Sequence, residues 1–259
     1  MTLSRPKISV AIIAKNEGDR IARLLKSVQF ADEIVVVDSG SNDNTVPVCK
    51  DYGAEVIYQQ WQGHTLQKQF AMEQTSSEWI LCLDADEEVS VALGKEIRHN
   101  LDHIDLEVNG FSMPRLSRYL GRWIRHGGWY PDRKVRIVRR GTAVWCGTDP
   151  HDKLIVKGKV VALSEPLLHY TYRSIRDQVA TINNFSDIFA GQHGPAGNVY
   201  ILAGTAHFVG KFLECYVWKT GFLDGIPGFI IAANSAWYVF LKHAKAWELK
   251  IPPQKSRRP

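Results

Sequence analysis

Two aspartates in the stretch "CLDADEE" have the residue type and spacing of a metal site. Asp84 and Asp86 lie two positions apart at the end of an apolar run, so an extended chain would point both carboxylates the same way. Two hard oxygen ligands suit Mg²⁺ or Mn²⁺, which would complete its shell with water and phosphate oxygens. A lone D-x-D also occurs often in solvated turns. The element that carries the pair therefore decides between the two interpretations.

A third aspartate, Asp38, ends the apolar run "EIVVVD" and is followed at once by the small polar residues "SGSNDNT". A short loop of this composition can turn tightly beside a bound group. The same residues could instead cap the helix that follows. From the residues alone, ligand recognition and helix capping are equally good explanations for Asp38.

The first ninety residues alternate between apolar runs and amphipathic segments. The runs "KISVAIIA", "EIVVVD", "AEVIY" and "EWILCLDADEE" predict four strands. A helix is indicated between the first two, because Ile21, Leu24, Leu25 and Val28 recur at helical spacing. This alternation predicts an α/β fold with a parallel sheet, in which ligands bind at the carboxyl ends of the strands. Asp38 and the D-x-D then share one edge, which favours a metal–diphosphate site.

Composition and the absence of some motifs narrow the function. The chain has 259 residues, a net charge of +5 and a pI near 9.0, which indicates anionic partners. Its four cysteines form no C-x-x-C pair, and the start of the chain reads as a strand, so we expect a cytoplasmic protein. Neither a G-x-G-x-x-G nor a P-loop follows the first strand, which argues against dinucleotide binding and P-loop chemistry.

The middle of the chain is strongly basic. Between residues 115 and 140 a single acid, Asp132, accompanies nine basic residues: 115, 118, 122, 125, 133, 134, 136, 139 and 140. Trp129 and Tyr130 lie among them. This stretch could receive an acidic substrate or bind nucleic acid, although the acidic strand end opposes the second alternative.

The last third of the chain is predicted to be helical, with helices at 174–192, 199–219 and within 221–250. The apolar core 226–241 is shorter than the roughly 20 residues that span a bilayer. Tryptophans and lysines near its ends are typical of helices that lie at a membrane surface. A helical pair packed on the catalytic domain is the alternative.

Four stretches of the chain resemble family 2 glycosyltransferases of the GT-A fold: "ISVAIIAKNEGDRIARLLKSV", "EIVVVDSGSNDNT", "LQKQFAMEQTSSEWILCLDADEE" and "GGWYPDRKVRIVRR". With "GFLDG" near the C-terminus, the chain is most similar to lipopolysaccharide inner-core β-1,4-glucosyltransferases. The resemblance implies a GT-A fold, Rossmann-like with a mostly parallel central sheet, and a C-terminal helical extension. It also implies metal-assisted, inverting transfer of a hexose, glucose from UDP-glucose, onto a heptose of the lipopolysaccharide core.

The resemblance also assigns residues to the donor. Glu17 and Asp38 would contact uridine, and Lys68 would lie near the nucleotide. Asp86 would be the main ligand of Mg²⁺ or Mn²⁺, with Asp84 close to the ribose or the metal.

Three further assignments concern the metal and the base. His169 in "LLHYTY" could be a third metal ligand, or a histidine buried at a strand end. Inversion needs a base for the acceptor hydroxyl. Where relatives have His-Glu this chain has His151-Asp152, so Asp152 is expected to be the base, with Asp149 as the alternative.

The acceptor would bind to the basic stretch. Trp129 and Tyr130 could stack on a sugar, and Arg133 and Arg136 could bind its carboxylates or phosphates; a solvated basic surface is the alternative.

The expected organisation is a catalytic domain over 1–173 and a helical region over 174–259. Residues 1–90 would bind the nucleotide sugar and residues 91–173 the acceptor. The protein would lie at the cytoplasmic face of the inner membrane, without binding nucleic acid. A polyprenyl-phosphate glycosyltransferase and a basic nucleic-acid-binding protein remain the alternatives.

Overall fold

The computed structural model describes residues 5–147 and 152–251. The chain forms two compact units. The first, here called the sheet unit, comprises Met1–Leu116 and Pro131–Tyr170; the second, the helical unit, comprises Ser117–Tyr130 and Thr171–Pro259. The helical unit thus includes residues 117–130, which the sequence analysis assigned to the acceptor half of the catalytic domain. That functional division remains a prediction.

The first part of the sheet unit is the predicted alternation of strands and helices. Its elements are β1 (Ile8–Ala14), α1 (Ile21–Ser27), β2 (Glu33–Asp38), α2 (Thr45–Asp51), β3 (Glu55–Tyr58), α3 (His64–Glu73), β4 (Trp79–Asp84), β5 (Glu87–Val89) and α4 (Val91–Asp102). Strands β1 to β4 are parallel and lie in the order β3-β2-β1-β4. This part confirms the α/β fold class.

The core explains why these elements form where they do. The four apolar positions predicted for α1 are all fully buried, as are the central valines of β2. Short helix α2 has Pro47 in its first turn, where the missing N–H costs nothing, and Gly53 with φ +75° just past its end. Helices α1, α2 and α4 thus bury apolar faces against strands that are themselves apolar on both sides.

The remaining strands pair mainly in antiparallel fashion, two of them in a separate two-stranded sheet. They are β6 (Val108–Tyr119), β7 (Arg122–Trp123), β8 (Asp132–Arg139), β9 (Ala143–Cys146), β10 (Lys153–Val156), β11 (Lys159–Ala162) and β12 (Leu167–His169). In the sheet unit the order continues from β4 to β8, β6, β12 and β5. The sheet is therefore mixed, with a parallel half that ends at β4 and an antiparallel half that begins at β8.

In the helical unit, helices α5 (Ile175–His193), α6 (Asn198–Leu213) and α7 (Gly225–Glu248) confirm the three predicted helices. A π-helical turn, Glu214–Trp218, and a 3₁₀ turn, Gly221–Asp224, connect α6 to α7. Among the described residues, none of the helices combines the length and apolar character required to cross a bilayer.

Candidate active site at the carboxyl ends of the strands

The loops that follow β1 and β2 are bound to each other. Asn16 adopts φ +55°; its amide donates to the Ser41 hydroxyl, and its side-chain oxygen accepts from the Asn42 amide at 2.9 Å. A Cβ on Gly18 would collide with the Asn44 carboxamide, so the glycine lets that side chain lie against the first loop. The two loops therefore form one preorganised surface at the carboxyl edge of the sheet.

Asp38 braces its own loop. Its Oδ2 accepts the amides of Gly40 and Ser41 at 2.8 and 2.9 Å, and its Oδ1 accepts the Ser41 hydroxyl. The side chain of Asn44, which precedes α2, makes no capping hydrogen bond. Because an ionised carboxylate offers about four lone-pair positions, Asp38 keeps about one on Oδ1 for a ligand donor.

The two aspartates of the D-x-D lie in different local structures. Asp84 is the last residue of β4, Ala85 and Asp86 form a turn, and Glu87 begins β5. The prediction that both carboxylates point the same way is therefore wrong. It assumed an extended chain, and the turn separates the two side chains.

Asp84 lies between two cations. Its Oδ1 is 2.7 Å from Lys68 Nζ and its Oδ2 is 2.7 Å from an Nη of Arg136. Burial would raise the pKa of this carboxyl, but Arg136 and Lys68 more than offset it and hold the pKa well below 3.8. Asp84 is thus a charged acceptor at the strand end at neutral pH.

Arg136 and Glu87 complete this group inside the protein. Arg136 is only 4% exposed, and its guanidinium lies 2.6 Å from Glu87 Oε1. Glu87 Oε2 accepts the Asp84 amide at 2.9 Å. Burial would lower the pKa of Arg136, but Glu87 and Asp84 raise it. With its charge directed at two internal carboxylates, Arg136 orders the strand end, a role that the sequence analysis did not consider.

Lys68 links Asp84 to the expected base. Its Nζ lies 2.9 Å from Asp152 Oδ2, and it also lies 4.9 Å from the centre of the Trp145 ring. Burial would lower the pKa of Lys68, but Asp84 and Asp152 raise it, so the lysine stays charged. Helix α3, β4 and the segment before β10 therefore bring Lys68, Asp84 and Asp152 together. The alternative base, Asp149, and His151 lie outside the described residues.

Asp86 approaches a different pair of side chains. Its Oδ2 is 3.4 Å from His169 Nε2 and 3.6 Å from Arg20 Nη1, and Arg20 Nε lies 3.9 Å from Glu17. The strand-end position expected as one alternative for His169 is observed, at the end of β12.

The metal-binding expectation can be examined on these residues. In the parts of the chain that the structure describes, His, Cys, Asp and Glu side chains do not form a group of three or more that could hold a metal ion. Asp86 and His169 form a pair, whereas Asp84 is engaged by cations. Mg²⁺ and Mn²⁺ prefer carboxylate, water and phosphate oxygens, so Asp86 supplies the ligand type that suits such an ion, and His169 would be a softer second donor.

The basic stretch is largely neutralised within the sheet unit. Asp132 pairs with both Arg115 and Lys134, and Arg139 pairs with Glu78. Arg133 is exposed and donates to the carbonyl of Leu163 at 3.0 Å. The charges of Arg115, Lys134 and Arg139 are therefore directed at acids of the same unit.

The two aromatic residues expected at the acceptor belong to the helical unit. Trp129 packs against Tyr119 and Tyr172, at ring-centroid distances of 5.6 and 6.2 Å. Tyr130 lies 5.8 Å from the guanidinium of Arg125. Both rings are half-buried, so each retains some surface for a ligand.

The loop that leads to these aromatics is held by a buried carboxylate, Asp224. Its Oδ2 accepts the amides of Arg125 and His126 at 3.0 and 2.8 Å, and its Oδ1 lies 3.2 Å from His126 Nδ1. The next amide, that of Gly127, donates to the Lys219 carbonyl. The aspartate of "GFLDG" therefore orders residues 125–127.

Three residues of these groups were not identified from the sequence: Arg20, Glu87 and Asp224 were given no defined role there. The i, i+3 spacing of Glu17 and Arg20 was a signal for the first. For Glu87 and Asp224 the partners lie far along the chain, at Arg136 and Arg125, so no local pattern could identify them.

The chain is similar to known glycosyltransferases along most of its length. Residues 9–148 match the model of the family described as "Glycosyl transferase family 2". An uncharacterized glycosyltransferase of Rickettsia typhi, RT0209, is 31% identical over 257 residues, which cover 95% of this chain and 88% of the relative. The lipopolysaccharide core biosynthesis glycosyltransferase LpsC of Rhizobium meliloti is 29% identical over 253 residues, with 93% and 92% covered.

Among solved structures, the mannosyltransferase PcManGT of Pyrobaculum calidifontis, in complex with GDP-Man and Mn²⁺, is similar in fold. Its TM-score is 0.54 at 13% identity, and the match covers 94% of this chain and 87% of that one. At this identity the similarity confirms the GT-A-like fold with C-terminal helices.

Proposed function

Because the chain belongs to glycosyl transferase family 2, we propose that it transfers glucose from UDP-glucose to a heptose of the lipopolysaccharide core, with inversion at the anomeric carbon. The observation that carries the proposal is the group of Lys68, Asp84 and Asp152 at the carboxyl ends of the strands. The relative LpsC, named for lipopolysaccharide core biosynthesis, supports the choice of acceptor.

The donor would lie on the surface formed by the first two loops. Asp38 has about one acceptor position left, which suits the single imide N–H of uracil. We assign Glu17 to the nucleoside as well. Lys68, a charged and half-buried donor, would bind the diphosphate and stabilise the charge that develops when the sugar leaves.

Asp86 and His169 would hold Mg²⁺ or Mn²⁺, with Asp84 close to the metal or the ribose. When bound, the ion would supply Lewis-acid stabilisation of the leaving diphosphate. Arg20, 3.6 Å from Asp86, would orient that carboxylate when the donor arrives.

Asp152 would accept the proton of the attacking hydroxyl. Its contact with Lys68 keeps the carboxylate beside the position of the donor phosphates. Once phosphate oxygens share the charge of Lys68, one oxygen of Asp152 would be free to accept the proton.

On the acceptor side we assign Trp129, Tyr130 and Arg133. Trp129 and Tyr130 present half-buried rings for sugar faces, and Arg133 presents an exposed guanidinium for carboxylates or phosphates. Arg136, initially grouped with them, is assigned instead to ordering Asp84.

We also propose that the protein works at the cytoplasmic face of the inner membrane, bound through its helical unit. Large apolar side chains are exposed along α6, α7 and the turns between them: Val199, Leu202, Trp218, Phe222, Leu223, Ile226 and Phe229. Such a patch, with lysines nearby, is typical of a surface that binds lipid. Cosedimentation with anionic vesicles should fall for Val199→Ser/Ile226→Ser and stay unchanged for Leu106→Ser/Ile155→Ser, a matched pair of exposed apolar residues in the sheet unit.

The decisive experiment is calorimetric titration of the purified chain, with and without Mn²⁺ or Mg²⁺, with UDP-glucose, UDP-galactose, UDP-GlcNAc and GDP-mannose. We expect metal-dependent binding that is tightest for UDP-glucose. Asp86→Ala should lose the metal-dependent part, whereas Asp102→Ala, which removes an exposed acid from the end of α4, should not. Binding of no nucleotide sugar would refute the proposal; preference for another sugar would correct the donor alone.

The acceptor is tested separately, by transfer of labelled glucose to truncated lipopolysaccharide that ends in heptose. Transfer to a polyprenyl phosphate instead would establish the alternative acceptor class while leaving the donor assignment intact.

A further inference from the structure

A groove of about 740 Å³ lies in the sheet unit, lined by residues of α1, α4 and β5. It contains none of the residues assigned above to the donor, the metal or the base. Its apolar lining includes Phe30, Val89 and Gly94. A Cβ on Gly94 would lie 3.6 Å from the Phe30 ring, so the glycine keeps this part of the groove open.

Four basic side chains line the groove, and three of them are available to a ligand. Lys26 and Lys95 are exposed, and within residues 5–147 and 152–251 neither is recorded in an ion pair. Arg23 lies with its guanidinium 3.8 Å from the centre of the Tyr170 ring, which fixes its position. The fourth, Arg98, is engaged by Asp32 and by backbone carbonyls and is structural.

The acidic residue that lines the groove, Glu88, already has partners within the protein. Glu88 Oε2 accepts the Tyr170 hydroxyl at 2.6 Å and lies 4.0 Å from Arg23 Nε. Its charge is therefore shared with Arg23, and Lys26 and Lys95 leave the groove with an excess of positive charge. An anionic ligand would gain charge-assisted hydrogen bonds here.

The groove begins one helical turn from the candidate donor edge. Arg20, Arg23 and Lys26 are three residues apart around α1, so they follow one side of the helix. Arg20 approaches Asp86, and the Tyr170 amide donates to the Asp86 carbonyl at 2.8 Å. The groove is thus a neighbouring but separate site.

We propose that this groove binds an acidic saccharide, a short sugar chain that carries carboxylate or phosphate groups. The cations match the acid groups, and the half-buried Phe30 ring matches the apolar face of a sugar ring. The volume falls within the roughly 300–1,000 Å³ of small-molecule sites, which is far more than a lone phosphate requires. The inference goes beyond the proposed transfer, and its test requires no donor sugar.

The test is calorimetric binding of trigalacturonic acid to the full chain, in the absence of metal and nucleotide. We expect saturable binding that is about tenfold or more tighter than that of neutral maltotriose, since the charge-assisted contacts are the strong ones. Lys26→Gln/Lys95→Gln should weaken it by about tenfold. Gly94→Leu should block it without unfolding, because leucine is a better helix former than glycine.

The matched control is Lys7→Gln/Lys50→Gln, which removes two exposed lysines of the same unit away from the groove. Equal weakening by this pair would show non-specific charge attraction and overturn the proposal. Inorganic phosphate that binds as tightly as the trisaccharide would also overturn it, as would displacement of the trisaccharide by UDP.

Discussion

Two carboxylates, one in each unit, are stabilised in opposite ways: Asp84 is half-buried and Asp224 is buried. Asp84 in the sheet unit faces two cationic side chains, the half-buried Lys68 and the buried Arg136. Asp224 in the helical unit faces backbone amides, those of Arg125 and His126, along with the His126 ring. Side-chain cations can turn to a new partner, whereas amides are fixed by the course of the chain.

This difference separates a group that can rearrange from one that cannot. A diphosphate brought to Lys68 could share its charge without unfolding anything, because lysine rotates about four bonds. Nothing comparable can relieve Asp224, whose loss would leave buried donors without an acceptor. We therefore expect changes near Asp84 to act mainly on catalysis and changes at Asp224 to act mainly on stability.

The largest effect is expected at Asp152, the second partner of Lys68. Asp152→Asn should lower the transfer rate by about 10²–10⁴-fold, the usual contribution of a general base. Donor affinity measured by calorimetry should stay within a few-fold, because Lys68 remains in place. If Asp152→Asn transfers normally and Asp149→Asn does not, the base has been assigned to the wrong aspartate.

A smaller effect, on a different quantity, is expected at Asp224. Asp224→Ala should lower the free energy of unfolding by about 3 kcal/mol, since it leaves buried donors unpaired. Urea denaturation measures this, with Asp187→Ala as a control, because that acid is exposed and pairs with Lys245 at the surface. If Asp224→Ala kept its stability but lost transfer activity, Asp224 would act in function and not in stability, contrary to this prediction.

The smallest effect concerns acid stability. The pKa of Asp84 is held below its ordinary 3.8, so its charged form stabilises the fold above that pH, and this contribution is lost as the pH falls through the lower folded value. Between pH 3.8 and that lower value, the free energy of unfolding should fall by about 1.4 kcal/mol per pH unit. Asp84→Asn should be less stable than the parent at pH 7, and the two should converge in acid. Parallel curves would mean that Lys68 and Arg136 do not act on Asp84.

The sequence predicts the parallel half of the fold well because its signals are local. Apolar runs that end in polar loops indicated β1 to β4, and the spacing of Ile21, Leu24, Leu25 and Val28 indicated α1. The edge that carries Asp38 followed from the alternation alone. For these elements the information lies within a few residues of where it acts.

What the sequence did not reveal depends on distant partners. The turn at Ala85 and Asp86 is needed because β5 pairs with β12, about eighty residues later in the chain, at Glu87 opposite His169. Arg136 was assigned to the acceptor because the sequence did not show its ion pair with Glu87, which lies 49 residues away. Side chains of one charge look alike in a sequence, and only the fold shows which of them are neutralised.

The Asp224 contact has a consequence for how the protein is made. The amides of Arg125 and His126 are synthesised 99 and 98 residues before the carboxylate that accepts them. At about 5–20 residues per second, a ribosome needs roughly 5–20 s to reach Asp224. The loop before Trp129 is therefore synthesised early, and its amides lack this acceptor until Asp224, just before α7, has been translated. A chain whose translation stops before Asp224 would carry a largely complete sheet unit and a loop whose Arg125 and His126 amides lack their acceptor.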